Sequence, residues 1–323
     1  MECLMPVTPV LPSRRALLLG LAAMAIAPAA RLAVAQETRV ITHASGTATV
    51  PAKPSRVVVL SDFTDLEYLL ALGVQPVAYG QTSAWDRGGL PWQAEGIAGI
   101  ATLNLVEGGA VPEDVINYAP DLIIGMKSYI EPIQAQLESI APVIALDWSM
   151  PWRDGLRLVA EALFLDDVAE AAIADTEALM ADTAAGLGGL GGKSIMIGSL
   201  YGDTLYVIGE GPIARQFAEL GLTFIPAPDA EPGGLAAYSI ENVDILSQAD
   251  ILLSFATDGE ATARLEAFAP FQRLPAVAGD AYIPLDPVTG SAFADNFSPL
   301  SARWVLPRLA EMLLEASAGK TPS

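Results

Sequence analysis

One phrase occurs twice in this 323-residue chain. The first copy runs Val111-Pro112-Glu113-Asp114-Val115-Ile116 and continues to Asp121-Leu122-Ile123-Ile124-Gly125. The second runs Ser239-Ile240-Glu241-Asn242-Val243-Asp244 and continues to Asp250-Ile251-Leu252-Leu253-Ser254. Each reads as a short helix opened by a glutamate, then an aspartate, then a buried-strand run. Glutamate and aspartate are eight steps apart in the first copy and nine in the second, and the two glutamates are 128 residues apart. Such a duplication predicts two similar lobes, each offering one acidic helix start. It favours a two-lobed binding protein over a single-site enzyme.

The first 35 residues read as an export signal that is cleaved off. Ser13-Arg14-Arg15-Ala16-Leu17-Leu18 sets two arginines before an apolar run reaching about Ala30, and Ala33-Val34-Ala35 supplies small residues before Gln36. The run is short for a membrane span of roughly 20 residues. The paired arginines resemble a Tat signal, with a Sec signal as the alternative. The single cysteine, Cys3, precedes the apolar run, so no lipid attachment point is expected at the cleavage site. The expectation is a soluble, monomeric periplasmic protein without disulfides. With 17 Lys and Arg against 38 Asp and Glu, the net charge is −21. Nucleic acid is excluded as a partner, because phosphate contacts need clustered cations.

Apolar periodicity divides the remainder into 36–150, a helical segment 151–188, and 189–323. Arg56–Ser61, the helix 62–72 and Gln75–Tyr79 form one βαβ unit. Residues 80–110 read mostly as loop. Asp121–Gly125, Glu131–Ala141 and Val143–Asp147 form a second unit. Residues 153–187 are helical, with a break expected at Asp166-Asp167, and bridge the lobes. Lys193–Leu200 and Thr204–Ile208 predict a hairpin, followed by the helix Ile213–Leu220 and the strand Thr223–Ile225. Asp250–Phe255 and Ala281–Leu285 are further strands, and Ser301–Ala316 is a closing helix with Trp304 on its apolar face. The fold class expected is α/β in both lobes.

From Arg56 to Leu314 the chain resembles the periplasmic binding proteins of ABC importers for ferric siderophores, haem and cobalamin. The residues that carry the likeness are Arg56-Val-Val-Val-Leu60 with Leu72–Val77, Glu113 to Ile124, Tyr238-Ser-Ile-Glu241 to Leu253, and Pro270–Gly279. Phe271 stands where the family often has Trp. The resemblance implies two α/β lobes joined by a single long inter-lobe helix, here about 167–187, with the ligand in the cleft between them. It also implies that Glu113 and Glu241 dock on arginines of an inner-membrane permease dimer. The alternative is that acids at helix starts merely answer the helix dipole.

In such a fold, ligand groups lie where strands end at the cleft. That nominates Trp85, Arg87, Trp92, Tyr129, Trp148, Tyr201 and Phe293 as ligand-binding residues, with Asp62, Phe63, Lys127, Trp152, Arg153, Tyr238, Phe255 and Phe297 nearby. Rings would pack on the organic shell of a bulky iron chelate, and an arginine, first of all Arg87, would bond its oxygens. For each aromatic alone, core packing is the competing explanation. The one histidine, His43, is expected at the surface. With a single His, neither a metal centre nor haem ligation by histidine is expected. The ligand expected is an Fe(III)-siderophore complex of hydroxamate or citrate type, with cobalamin or haem as alternatives and no resident cofactor. An exported enzyme is the alternative of another class. Against it, the segment from Gln36 has no cysteine, only His43 for a triad, and neither a Gly-x-Ser-x-Gly elbow nor a Walker loop.

Overall fold

Val57, Val58 and Val59 are buried on both faces, as a central parallel strand requires. In the computed structural model, which describes residues 38–81, 90–106, 109–231, 233–256, 259–294 and 297–319, these valines sit in the first of two six-stranded sheets. The export signal and the nominated Trp85 and Arg87 lie outside the described residues.

A hairpin of β1 (Thr38–His43) and β2 (Gly46–Pro51) precedes the sheets. The first sheet holds β3 (Val57–Val59), β4 (Ala78–Gln81), β5 (Ala101–Val106), β6 (Gly109–Ala110), β7 (Leu122–Met126) and β8 (Val143–Leu146), in the order β6-β5-β4-β3-β7-β8. All its pairs are parallel except β5 with β6. The second holds β9 (Ser194–Tyr201), β10 (Thr204–Ile208), β11 (Thr223–Phe224), β12 (Leu235–Ser239), β13 (Ile251–Phe255) and β14 (Tyr282–Leu285). Its order is β12-β10-β9-β13-β14, with β11 also on β9. The central pairs correspond: β3 with β7, and β9 with β13.

The repeated aspartates explain that correspondence. Asp121, just before β7, accepts bonds from the Ser55 N–H (2.9 Å) and the Arg56 N–H (2.8 Å), just before β3. Asp250, just before β13, accepts from the Ser194 N–H (2.9 Å) and hydroxyl (2.8 Å), where β9 begins. Each carboxylate pins two parallel strands in register at their entry, where no neighbouring strand satisfies those donors. The second copy, one residue longer, forms a 3-10 helix, Ile240–Gln248, capped by Ser239. The first is an α-helix, Pro112–Ile116.

Between the sheets run the helices Trp152–Leu163 and Asp166–Gly186. The break falls at Phe164, which is left-handed (φ 60°) with the Arg39 guanidinium 4.1 Å above its ring. Asp166 and Asp167 begin the second helix instead of dividing the two, because acids are favoured in a first helical turn. Two strands, β5 and β6, run through the stretch read as loop, and β12 and the β1–β2 hairpin were not foreseen. These strands are short or lie at sheet edges, so their apolar alternation is weak. The last helix, Pro299–Ser317, opens with a Ser298–Ser301 capping box and contacts both Asp166–Gly186 and Thr64–Ala71. His43 is half-buried, where the sequence placed it at the surface, and burial holds its pKa down.

Candidate functional site

The carboxyl ends of strands in both sheets converge on one groove. Trp148 follows β8, Tyr201 ends β9, Ile208 ends β10 and Phe255 ends β13. One space of about 240 Å³ is lined by Trp148, Pro212, Ile208, Leu235, Phe255 and Ala294. A second of about 280 Å³ shares Ile208, Leu235 and Phe255 and adds Ser199, Tyr201 and Tyr206. A third of about 40 Å³ shares Trp148, Pro212 and Ala294 with the first and reaches Asp147, Trp152 and Gln216. The sharing makes them one continuous groove. Tyr206 and Ile208 line it together because residues two apart in a strand share a face.

Trp148 is 45 % exposed and Tyr201 64 % exposed, which is unusual for side chains so large. Trp148 is held in place. Its indole N–H donates to Ser128 Oγ (3.2 Å), and its ring stands edge-on to Phe63 with centroids 5.1 Å apart. Phe63 in turn stacks on Tyr129 at 6.4 Å. Burial, with Asp65 and Asp62 nearby, pushes the Tyr129 phenol up, so it stays a neutral donor.

Among the described residues lining the groove, Asp147 is the one charged side chain. Bonds from the Ser149 hydroxyl and N–H hold it below the usual carboxylate range, so it is ionised at neutral pH. Of the cations around it, Lys127 helps to lower its pKa, and Arg215 donates to the Ser149 carbonyl oxygen (3.5 Å). Arg153 pairs with Glu177 (2.6 Å) and, with two nitrogens, with Glu219 (3.1 and 2.9 Å). Lys127 lies 3.6 Å from Glu131.

The structure distributes the nominated residues unevenly. Trp148 and Tyr201 line the groove, and Tyr129 adjoins it through Phe63. Trp92 lines none of the three spaces; its indole donates to Glu67 (2.6 Å) and its ring packs on Trp304 at 5.0 Å. Phe293 is 1 % exposed and lies between Phe217 (4.7 Å) and Phe297 (5.7 Å), inside the core. Tyr238 bonds Asp229 from the edge strand β12. Glu113 and Glu241 are both exposed in the first turns of their helices. Sequence reasoning missed Ile208, Leu235, Tyr206 and Gln216. The alternation in β10 could have found Tyr206 and Ile208.

Behind the groove, two carboxyls on the helix Thr64–Ala71 are wholly buried. Asp65 is bonded by Ser61 (2.6 Å from its hydroxyl), and Glu67 by Ser298 (2.7 Å), Trp92 and Gln93. Burial pushes both up to about 7 despite those bonds. The folded state therefore holds these protons more tightly than the unfolded chain. Their stabilising contribution is complete below about pH 4 and lost as pH rises through about 7. Between those limits stability is expected to fall on the order of 1.4 kcal/mol per pH unit for each group. Asp147 and Asp250, whose pKa values are lowered, act in the opposite sense but only at more acid pH. Asp65→Asn should flatten the profile of melting temperature between about pH 5 and 7; an equally steep profile in the variant would refute this assignment.

No family model matches the chain. A Bacillus subtilis protein, described as the probable siderophore-binding lipoprotein YfiY, is 36% identical over 166 residues. That match covers 50% of this chain and 49% of the relative, so it spans about half the length of each. Among solved structures, a periplasmic solute binding protein from Mycobacterium smegmatis is 26% identical with a TM-score of 0.73, covering 87% of this chain and 99% of that one. Staphylococcus aureus SirA, complexed with staphyloferrin B, superposes with a TM-score of 0.73 at 19% identity over 86% of this chain and 99% of its own. PiaA of Streptococcus pneumoniae in complex with ferrichrome gives 0.69 at 23% identity over 87% of this chain and 99% of its own. The chain has the two-lobed α/β fold of these binding proteins. Its resemblance to siderophore-binding components of ABC importers, read from the sequence, is borne out, and these relatives are binding proteins, not enzymes.

Proposed function

We propose that this chain is the exported binding protein of an ABC importer, capturing a ferric siderophore in the periplasm and delivering it to an inner-membrane permease dimer. The observation that carries this reading is the groove at the strand ends. It is lined by Trp148, Tyr201, Tyr206 and Phe255, and its adjoining spaces of about 240 and 280 Å³, each just under the roughly 300 Å³ at which small-molecule sites begin, together come within their range.

The same lining favours a hydroxamate over a citrate-type chelate. A polycarboxylate complex calls for cations, whereas Asp147 is the one charged side chain among the described lining residues and repels anions. A neutral trihydroxamate needs only aromatic faces and neutral donors. Of the two ligands held by similar structures, ferrichrome fits this groove better than staphyloferrin B. We assign docking on the permease to Glu113 and Glu241.

The test is tryptophan-fluorescence quenching of the protein from Gln36 onward, titrated with ferrichrome, ferric citrate, a ferric catecholate, haem and cobalamin. Saturable quenching by ferrichrome at micromolar concentration or below is expected. Selective response to haem or cobalamin overturns the ligand and keeps the carrier role; response to none overturns both.

A further inference from the structure

Two buried polar atoms beside the smallest space have no hydrogen-bond partner among the described residues: Nε1 of Trp152 and Oε1 of Gln216. Each residue is only 4 % exposed. They come from different parts of the chain, Trp152 from the start of Trp152–Leu163 and Gln216 from the helix Pro212–Glu219. The second helix is fixed against the first by the two-nitrogen Arg153–Glu219 pair. A buried donor or acceptor without a partner loses its bonds to water and gains none in return. Both residues line the same small space, so a ligand group that enters it, with a small reorientation of these side chains, meets a donor and an acceptor that no described residue satisfies.

The chemistry of that group follows. It must accept from an indole N–H and donate to an amide oxygen, which a hydroxyl or a carboxamide does. A carboxylate only accepts, so it leaves Gln216 unmet and adds repulsion from Asp147, which lines the same space. An ammonium only donates and leaves Trp152 unmet. The space of about 40 Å³ is near the roughly 30 Å³ that one water occupies in the liquid, enough for one such group. Trp148, Pro212 and Ala294 line both this space and the groove above it, so a chelate resting on Trp148 can extend an arm downward.

We infer that Trp152 and Gln216 form a specificity subsite at the groove floor that takes a neutral hydroxyl or amide arm of the ligand. This rests on the carrier reading above.

The test compares two neutral probes by calorimetry. Ferrichrome carries peptide amides; ferric tris(N-methylacetohydroxamate) presents the iron core alone. Gln216→Leu and Trp152→Phe should each weaken ferrichrome binding about tenfold, as for one neutral hydrogen bond, and leave the simple complex unaffected. Gln216→Leu should not melt below the unmodified protein, since it replaces an unmet polar atom with an apolar one; Trp152→Phe trims a buried indole packed on Phe297 and should melt lower, so its affinities are compared in the folded fraction. Gln216→Met, of nearly equal length, gives the same readout should leucine not be tolerated. Unchanged ferrichrome affinity, or equal losses for both probes, overturns the subsite while the carrier reading stands. An unmodified protein that binds neither probe overturns the hydroxamate reading and the subsite with it.

Discussion

Replacing Glu113 and Glu241 together by alanine is expected to abolish delivery of ligand to the permease while leaving ligand affinity within about twofold, as for surface changes remote from a site. Both side chains are exposed, and neither forms an ion pair or hydrogen bond through its carboxylate with a described residue. Neither lines the groove. Two carboxylates on matching helix starts of two lobes can read a twofold-related pair of basic pockets, which fixes orientation and speeds encounter. Losing one desolvated charge partner typically costs about 2–5 kcal/mol, so the double variant should transport at least about a hundredfold less well, and each single variant should fall between. If the acids served only the helix dipole, the loss would appear as about 0.3–1 kcal/mol of stability per site and transport would persist. Uptake assays run beside melting curves separate the two. Wild-type uptake by the double variant would sink the docking role.

The doubled phrase was legible because it performs the same work twice. Asp121 and Asp250 each tie one central parallel strand to the next, so register demands an acid at that step in both halves. The glutamates obey no such internal demand, yet they recur, and that keeps the docking reading alive. Individual ligand residues were harder to read, since a sequence shows which residue types are present and not which partners arrive from afar. Trp92 looked free in a loop, but Trp304 from the last helix covers its ring and buried Glu67 takes its N–H. Phe293 sits in a helix whose packing against Phe217 is set by tertiary structure alone. Trp148 and Tyr201 could be placed at the groove because position at a strand end is a local property. Gln216 could not be found that way: what marks it is burial without a partner, which exists only once two helices meet.

The other large effect is expected at Trp148. Its ring is 45 % exposed in the free protein, so truncation should cost little folding stability, within the roughly 0.5 kcal/mol usual for surface sites plus a small share for its contact with Phe63. Binding is different. A tryptophan contributes on the order of 150–250 Å² of contact, and covering about half of that at 25 cal/mol per Å² is worth about 2–3 kcal/mol. Trp148→Ala should therefore weaken ferrichrome binding about 30- to 150-fold, and Trp148→Phe by much less. Trp92→Ala should do the reverse, lowering the melting temperature by removing one bond to the buried Glu67 carboxyl and the packing on Trp304, and leaving affinity nearly intact in the folded fraction. Calorimetry is the appropriate readout, because Trp148 is itself a reporter in fluorescence and its removal would mask the signal. Equal affinities for the unmodified and Trp148→Ala proteins would show that the ligand sits elsewhere. A large affinity loss in Trp92→Ala at full folding would place the chelate on the other side of Glu67.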